Sequence, residues 1–222
     1  MTTSHDTERP GPDTIELVGG ALCLDLANTV EGRGGPDRRD AITDAGDLIV
    51  WSRRAGALSE EDTAAIATGS VSDTIALERS LTEVFALREA IYRIFTAIAD
   101  GRAPAEADLE ILRLTHADGL LHARLAPGSD DGASDHFAWQ WDERGAISLD
   151  SVRWRASASA VDLLRYGRLD RLRQCPGGGE GPCNWLFIDT TRGGNRRWCS
   201  MSDCGSRSKW RRQNARRRAS AR

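Results

Sequence analysis

Apolar residues recur along this chain with two different periods, and the change of period divides it. Leu77, Leu81, Val84, Phe85, Ile91, Phe95 and Ile98 return at helical spacing. They predict the longest element, a helix from about Ser72 to Asp100 that stops at Gly101. Leu22, Cys23, Leu26, Ala27 and Val30 predict a helix over 21–30 that is apolar almost all round and therefore central. Thr43 or Asp44 caps a helix through about Arg54. Ser59, followed by Glu60, Glu61 and Asp62, starts another that ends near Gly69. Pro104 opens a helix carrying Leu109, Ile111 and Leu112 to about Gly119, and a further helix spans Ser151 to Tyr166. Between these last two the period falls to two. LLHARLAP (120–127) and HFAWQWDE (136–143) flank the turn-rich GSDDGASD, which predicts a β-hairpin with Phe137, Trp139 and Trp141 on one face.

Residues 1–14 are polar, contain prolines and show no period, so they read as a disordered leader. The expected architecture is mostly α with a small antiparallel β element (α+β). A helical domain with a β-hairpin covers 15–168, a small module with a basic C-terminal helix covers 169–218, and 219–222 form a tail. No run of 18 apolar residues exists, so no membrane span is expected.

The chemistry is concentrated in the small module. Cys175, Cys183, Cys199 and Cys204 lie there as C-x7-C and C-x4-C, fifteen residues apart. Two close cysteine pairs around a strand-like segment match a tetrahedral zinc site, in which each pair supplies two thiolates from one tight turn. Glycines and prolines around Cys175 and Cys183 allow that turn. The metal stands in for the hydrophobic core that so short a segment cannot build. Four cysteines close the coordination shell, so the expected zinc is structural. Two disulfides are the rival reading. The N-terminus, MTTSHDTERPGPDT, has no apolar export segment, so a cytoplasmic, reducing location is expected and zinc is preferred. Cys23, on an apolar helix, reads as a small hydrophobe.

The formal net charge of −3 hides an asymmetry. From Cys175 to Arg222 there are 11 Lys+Arg and 3 Asp+Glu, leaving 19 basic and 30 acidic residues in the rest. A basic module is therefore attached to an acidic body. Arginine supplies 29 of the 30 cations, so its abundance alone carries little weight. Three readings of the basic end stay open: a solvated tail, a nucleic-acid-binding surface, and a platform for a protein partner. For a helix from about Ser202 to Arg217, Arg207, Arg211 and Arg218 share the face of Cys204. Lys209, Arg212 and Arg216 turn away from the metal and are the candidate phosphate contacts.

The module resembles the CGNR zinc finger family, through Trp185-Leu186-Phe187-Ile188-Asp189-Thr190, Arg196-Arg197-Trp198-Cys199-Ser200-Met201 and Cys204-Gly205-Ser206-Arg207. Ser206 stands where the family has Asn, and the span from Cys175 to Cys183 is longer than the family pattern. The larger region resembles the ABATE domain, through Leu24-Asp25-Leu26-Ala27-Asn28-Thr29 and Leu87-Arg88-Glu89-Ala90-Ile91-Tyr92. The resemblance implies a stress-induced transcription regulator with a treble-clef-like or ribbon-like zinc module.

No enzyme signature is present. His5, His116, His122 and His136 are scattered, GGGEG (177–181) lacks the ending of a phosphate loop, and GGAL (19–22) lacks the spacing of a dinucleotide loop. One polar constellation remains. Arg88 falls in the middle of the apolar face of the long helix and must either snorkel or find an anion. Asp25, with Asn28 one turn on, is the expected partner, either as a fold-holding pair or as the lining of a site for a small polar ligand. The function expected from the sequence is DNA binding in transcriptional regulation, with an N-terminal domain that senses a ligand or associates, a homodimer included. The alternative is a protein-interaction adaptor.

Overall fold

The computed structural model describes residues 11–33, 35–36, 38–68, 74–127, 137–141, 149–178 and 181–220. The first ten positions of the expected leader, its His5, the hairpin tip with His136, and Gly69 lie outside them. Seven helices and three two-stranded antiparallel sheets are described.

Helix α4 (Thr74–Ala99) is the spine, as its long apolar stripe predicts. Val84, Leu87, Ile91, Ile94 and Phe95 on it are fully buried. Helices α5 (Glu106–Leu121) and α6 (Asp150–Tyr166) pack on it and on each other. Helix α5 runs through Gly119 rather than stopping there. That glycine is buried against Trp154 of α6, and a Cβ on it would lie 3.0 Å from the Trp154 Cβ, so it serves close helix packing. Helix α2 (Ala45–Arg54) begins where Asp44 accepts the Asp47 amide. Helix α3 (Glu60–Thr68) begins with a reciprocal cap: the Ser59 hydroxyl accepts from the Asp62 amide at 3.0 Å, and the Asp62 carboxylate accepts from the Ser59 amide at 2.8 Å.

Helix α1 (Leu22–Ala27) is central, with Leu24 and Leu26 fully buried, but shorter than its pattern suggests. It ends at Asn28 because the Thr29 hydroxyl bonds back to the Leu26 carbonyl and the chain turns into β1 (Val30–Glu31). Strand β1 pairs with β2 (Arg39–Asp40) in a two-rung antiparallel ladder that no apolar period marks. The predicted hairpin is present as β3 (Ala123–Pro127) and β4 (Phe137–Trp141), with Leu125 opposite Trp139.

After a 3-10 turn at Leu169–Arg171, β5 (Leu172–Gln174) pairs with β6 (Leu186–Ile188). A wide turn at Met201–Gly205 then leads into α7 (Ser206–Ser220). Hairpin followed by helix is the treble-clef-like order. Leu172, Leu186 and Phe187 join the same apolar core as Leu24, Leu26 and Ile91. The small module is therefore packed into the body. Among the described residues, no helix is long and apolar enough to cross a membrane.

Candidate metal centre and basic helix

Cys175 follows β5 and Cys183 precedes β6, so the first cysteine pair sits in the turn of a hairpin. Gly177 adopts φ +77°, which a residue with a side chain rarely tolerates. A Cβ on Gly178 would fall 1.9 Å from the Cys204 carbonyl oxygen and 2.9 Å from the Ser208 nitrogen. The glycines of this loop thus let one backbone lie directly on another, which brings the turn onto the start of α7. The second pair spans the wide turn, where the Gly205 amide reaches the Ser200 carbonyl five residues back at 3.0 Å. The extra residue in that turn brings Cys199 and Cys204 round to one side.

The four sulfurs lie within 4.8 Å of one another, and all four residues are buried. The Cys183–Cys199 and Cys199–Cys204 separations are 3.7 and 3.8 Å. Zinc–thiolate bonds of ~2.3 Å in a tetrahedron place sulfurs roughly 3.8 Å apart. The sulfurs also compete electrically. Contact with Cys183 pulls the Cys175 thiol below its ordinary range, and the same contact pushes Cys183 above it. Four thiolates this close need a cation between them, and a divalent metal of zinc's size fits the donor set. Cys23, the fifth cysteine, is fully buried in the helical core, which pushes its thiol up to about 12 and leaves it unreactive.

Two residues of the quoted motifs, to which the sequence reading gives no role, hold the second pair in place. Asp189 is buried and accepts from the Thr191 amide at 2.9 Å, the Thr191 hydroxyl at 2.5 Å and the Arg196 amide at 2.8 Å. The Thr191 hydroxyl bond, first among these, holds its carboxyl below the usual range. Arg196, positioned by that bond, lies 4.5 Å over the Phe187 ring and donates to the carbonyls of Trp198 and Cys199. An acid two residues before a threonine is a turn signal in sequence, whereas its reach to Arg196 is visible in three dimensions alone. Ser206, at the family's Asn position, donates to the Met201 carbonyl at 3.1 Å and so closes the wide turn.

On α7, Arg207 packs within the module, as its helical phase predicts. It donates to the Cys204 sulfur at 3.3 Å and to Asp203 at 2.6 Å, and lies 3.7 Å from Glu31 of β1. Lys209, Arg212 and Arg216 are exposed on the same helix, and Trp210 is 67% exposed. No residue on α7 is buried, so the helix projects from the body as a polar rod.

The polar pair expected in the helical region is different from the one present. Arg88 is buried at 2% exposure and does hold a carboxylate through both terminal nitrogens, at 2.8 and 2.7 Å. That carboxylate is Asp40, at the end of β2, and not Asp25. The Thr29 hydroxyl accepts a further bond from Arg88 at 3.0 Å. Asp25 instead turns back to accept the Gly19 amide at 2.8 Å, because a carboxylate in the first turn of α1 lies over the chain entering the helix. Asn28 supports neither. Its amide pairs with both backbone groups of Leu186, each bond 2.8 Å, and so fastens β6 to the end of α1. The Asn184 side chain donates to the Arg33 carbonyl and Gln174 to the Tyr92 hydroxyl across the same seam.

Comparison with family models returns two matches. Residues 20–167 match the ABATE model, described as "Putative stress-induced transcription regulator", and residues 171–217 match the CGNR zinc finger. A comparison with curated proteins returns no match.

Proposed function

The chain belongs to the ABATE family and ends in a CGNR zinc finger, and from that premise we propose that it is a DNA-binding transcriptional regulator. The observation that carries this reading is α7. A zinc centre anchors its first turn, Arg207 is tied into that centre, and Lys209, Arg212 and Arg216 are exposed along the helix. A helix that carries exposed cations along its length fits the phosphate backbone of a duplex, because each phosphate contact releases counterions. The acidic body would be repelled from DNA, so the contact is confined to the basic end of the chain.

In this reading zinc is structural. It fixes the angle of α7 and supplies no reaction step. The adaptor reading has one observation in its favour, the exposed Trp210 and Met201 beside the cations, which a protein partner could cover. Fluorescence anisotropy of a labelled duplex with the zinc-loaded protein separates the two. DNA binding predicts saturable binding that weakens at least tenfold in the triple variant Lys209→Ala, Arg212→Ala, Arg216→Ala. Unchanged binding by a folded triple variant, or no binding by the parent, rejects the assignment.

A further inference from the structure

The chain between β6 and Cys199 carries three arginines and one acid, and the acid faces inward. Asp189 is buried, and its carboxylate is filled by the Thr191 amide and hydroxyl and by the Arg196 amide. The Gly194 amide closes a turn onto the Thr191 carbonyl at 3.1 Å, and Gly194 adopts φ +64°. A Cβ there would collide with the guanidinium of Arg171, from the turn before β5, which lies against the loop. The Asp189 amide donates to the Arg171 carbonyl at 2.9 Å, so the base of the loop is tied to the same segment.

The outer side of this loop faces water. Thr190, Thr191, Arg192, Asn195 and Arg197 are all exposed. Arg192 makes no hydrogen bond or ion pair among the described residues, and Arg197 lies 5.5 Å over the Trp198 ring with no carboxylate beside it. Arg196, between them, turns the other way, to the carbonyls of Trp198 and Cys199 and the ring of Phe187. Among the described residues, no exposed large apolar side chain lies between Tyr166 and Met201. A protein partner needs such an anchor, which α7 offers in Trp210 and this loop lacks. Two unpaired guanidinium groups among short polar side chains, with no exposed carboxylate, suit phosphate instead. We infer that the 190–197 loop is a second contact with duplex DNA, with Arg192 and Arg197 on phosphates. This rests on the reading of the chain as a DNA-binding protein and adds to it a segment separate from α7. The loop ends at Cys199 and α7 begins just after Cys204, so the cysteine site joins the two contacts.

Fluorescence anisotropy with a labelled duplex of mixed sequence, over a series of salt concentrations, tests this on the full-length, zinc-loaded protein. Arg192→Ala with Arg197→Ala should weaken binding roughly tenfold and make the slope of log affinity against log salt shallower by about 1.8, as two phosphate contacts require. Arg192→Ala alone, which removes a side chain with no partner to lose, should give about half of that change in slope, and it carries the test if Arg197 proves necessary for folding. The control is Arg102→Ala with Arg113→Ala, which removes the same charge from the body, where Asp100 and Glu110 pair those arginines. Its affinity and slope should match the parent's. Zinc content and melting temperature check that each variant is folded. A folded double variant with the parent's slope, while the parent binds, overturns the inference and leaves α7 as the contact. An equal loss in the control overturns it as well, since net charge would then be the cause. A parent that binds no duplex overturns the inference together with the reading beneath it.

Discussion

Asp25 and Arg88 show how much a single charged residue owes to its backbone. Arg88 lies on an apolar helix face and must hold an anion, since breaking a buried pair costs about 3–5 kcal/mol. That need is legible in sequence; the identity of the anion is not. Asp40 sits on a strand of two residues, too short for any period to mark, while Asp25 is the one charged residue of a central apolar helix and so is the partner the sequence suggests. The position of Asp25 has a measurable consequence. Burial pushes its carboxyl from 3.8 up to about 6, against the opposing pull of the Gly19 amide and Arg54. The folded state then holds the proton more tightly than the unfolded chain does. The associated stability is fully present below about pH 4 and is lost as pH rises through about 6, by about 1–3 kcal/mol. Asp25→Asn keeps an acceptor for the Gly19 amide and does not ionise. We expect it to melt several degrees higher than the parent at pH 7.5, with the difference shrinking towards pH 4. Thermal melts of both proteins across that range check it, and a difference independent of pH would show that the carboxyl is not the cause.

At the scale of elements, the loop between β5 and β6 decides whether the metal centre can form. The cysteine spacing and the glycines were enough to expect a zinc turn, because few other arrangements need four cysteines with glycine between the first two. What sequence leaves out is the partner of that turn, since the contact between Gly178 and the backbone of Cys204 and Ser208 joins segments about 30 residues apart. Gly178→Ala would force two backbones apart and should cost about 3 kcal/mol or more, at the upper end of overpacking effects. Gly181→Ala, with nothing within 4 Å of the added carbon, is the control and should be neutral. Competition for zinc with a chromophoric chelator, together with melting temperature, reads both. Equal behaviour of the two variants would mean that the turn does not lie on α7. The helices were legible to within a few residues where caps marked them, as at Asp44 and Ser59. The end of α1 was not, because the Thr29 hydroxyl that bonds back to the Leu26 carbonyl and the Asn28 bond to β6, 158 residues away, leave no mark on the apolar pattern.

Across the whole molecule, composition announced two parts, an acidic body and a basic end, and both are present. Their junction was hidden. The apolar core runs from the helices into β5 and β6 without a break, and Asn28, Asn184 and Gln174 stitch the seam. Two-residue spacing cannot reveal such a junction, because hydrogen bonds to backbone depend on register and not on residue type. The result is a mount: the body holds β6, the glycine turn before β6 and the cysteine site hold the start of α7, and α7 carries exposed cations. The most direct test of this account is the salt dependence of duplex binding by the zinc-loaded protein and by the triple variant Lys209→Ala, Arg212→Ala, Arg216→Ala. Each phosphate contact contributes about −0.9 to the slope of log affinity against log salt, so three contacts make the parent steeper by roughly 2.7. A parent slope at least that much steeper than the variant's is the predicted result. Equal slopes in the two proteins would contradict the account.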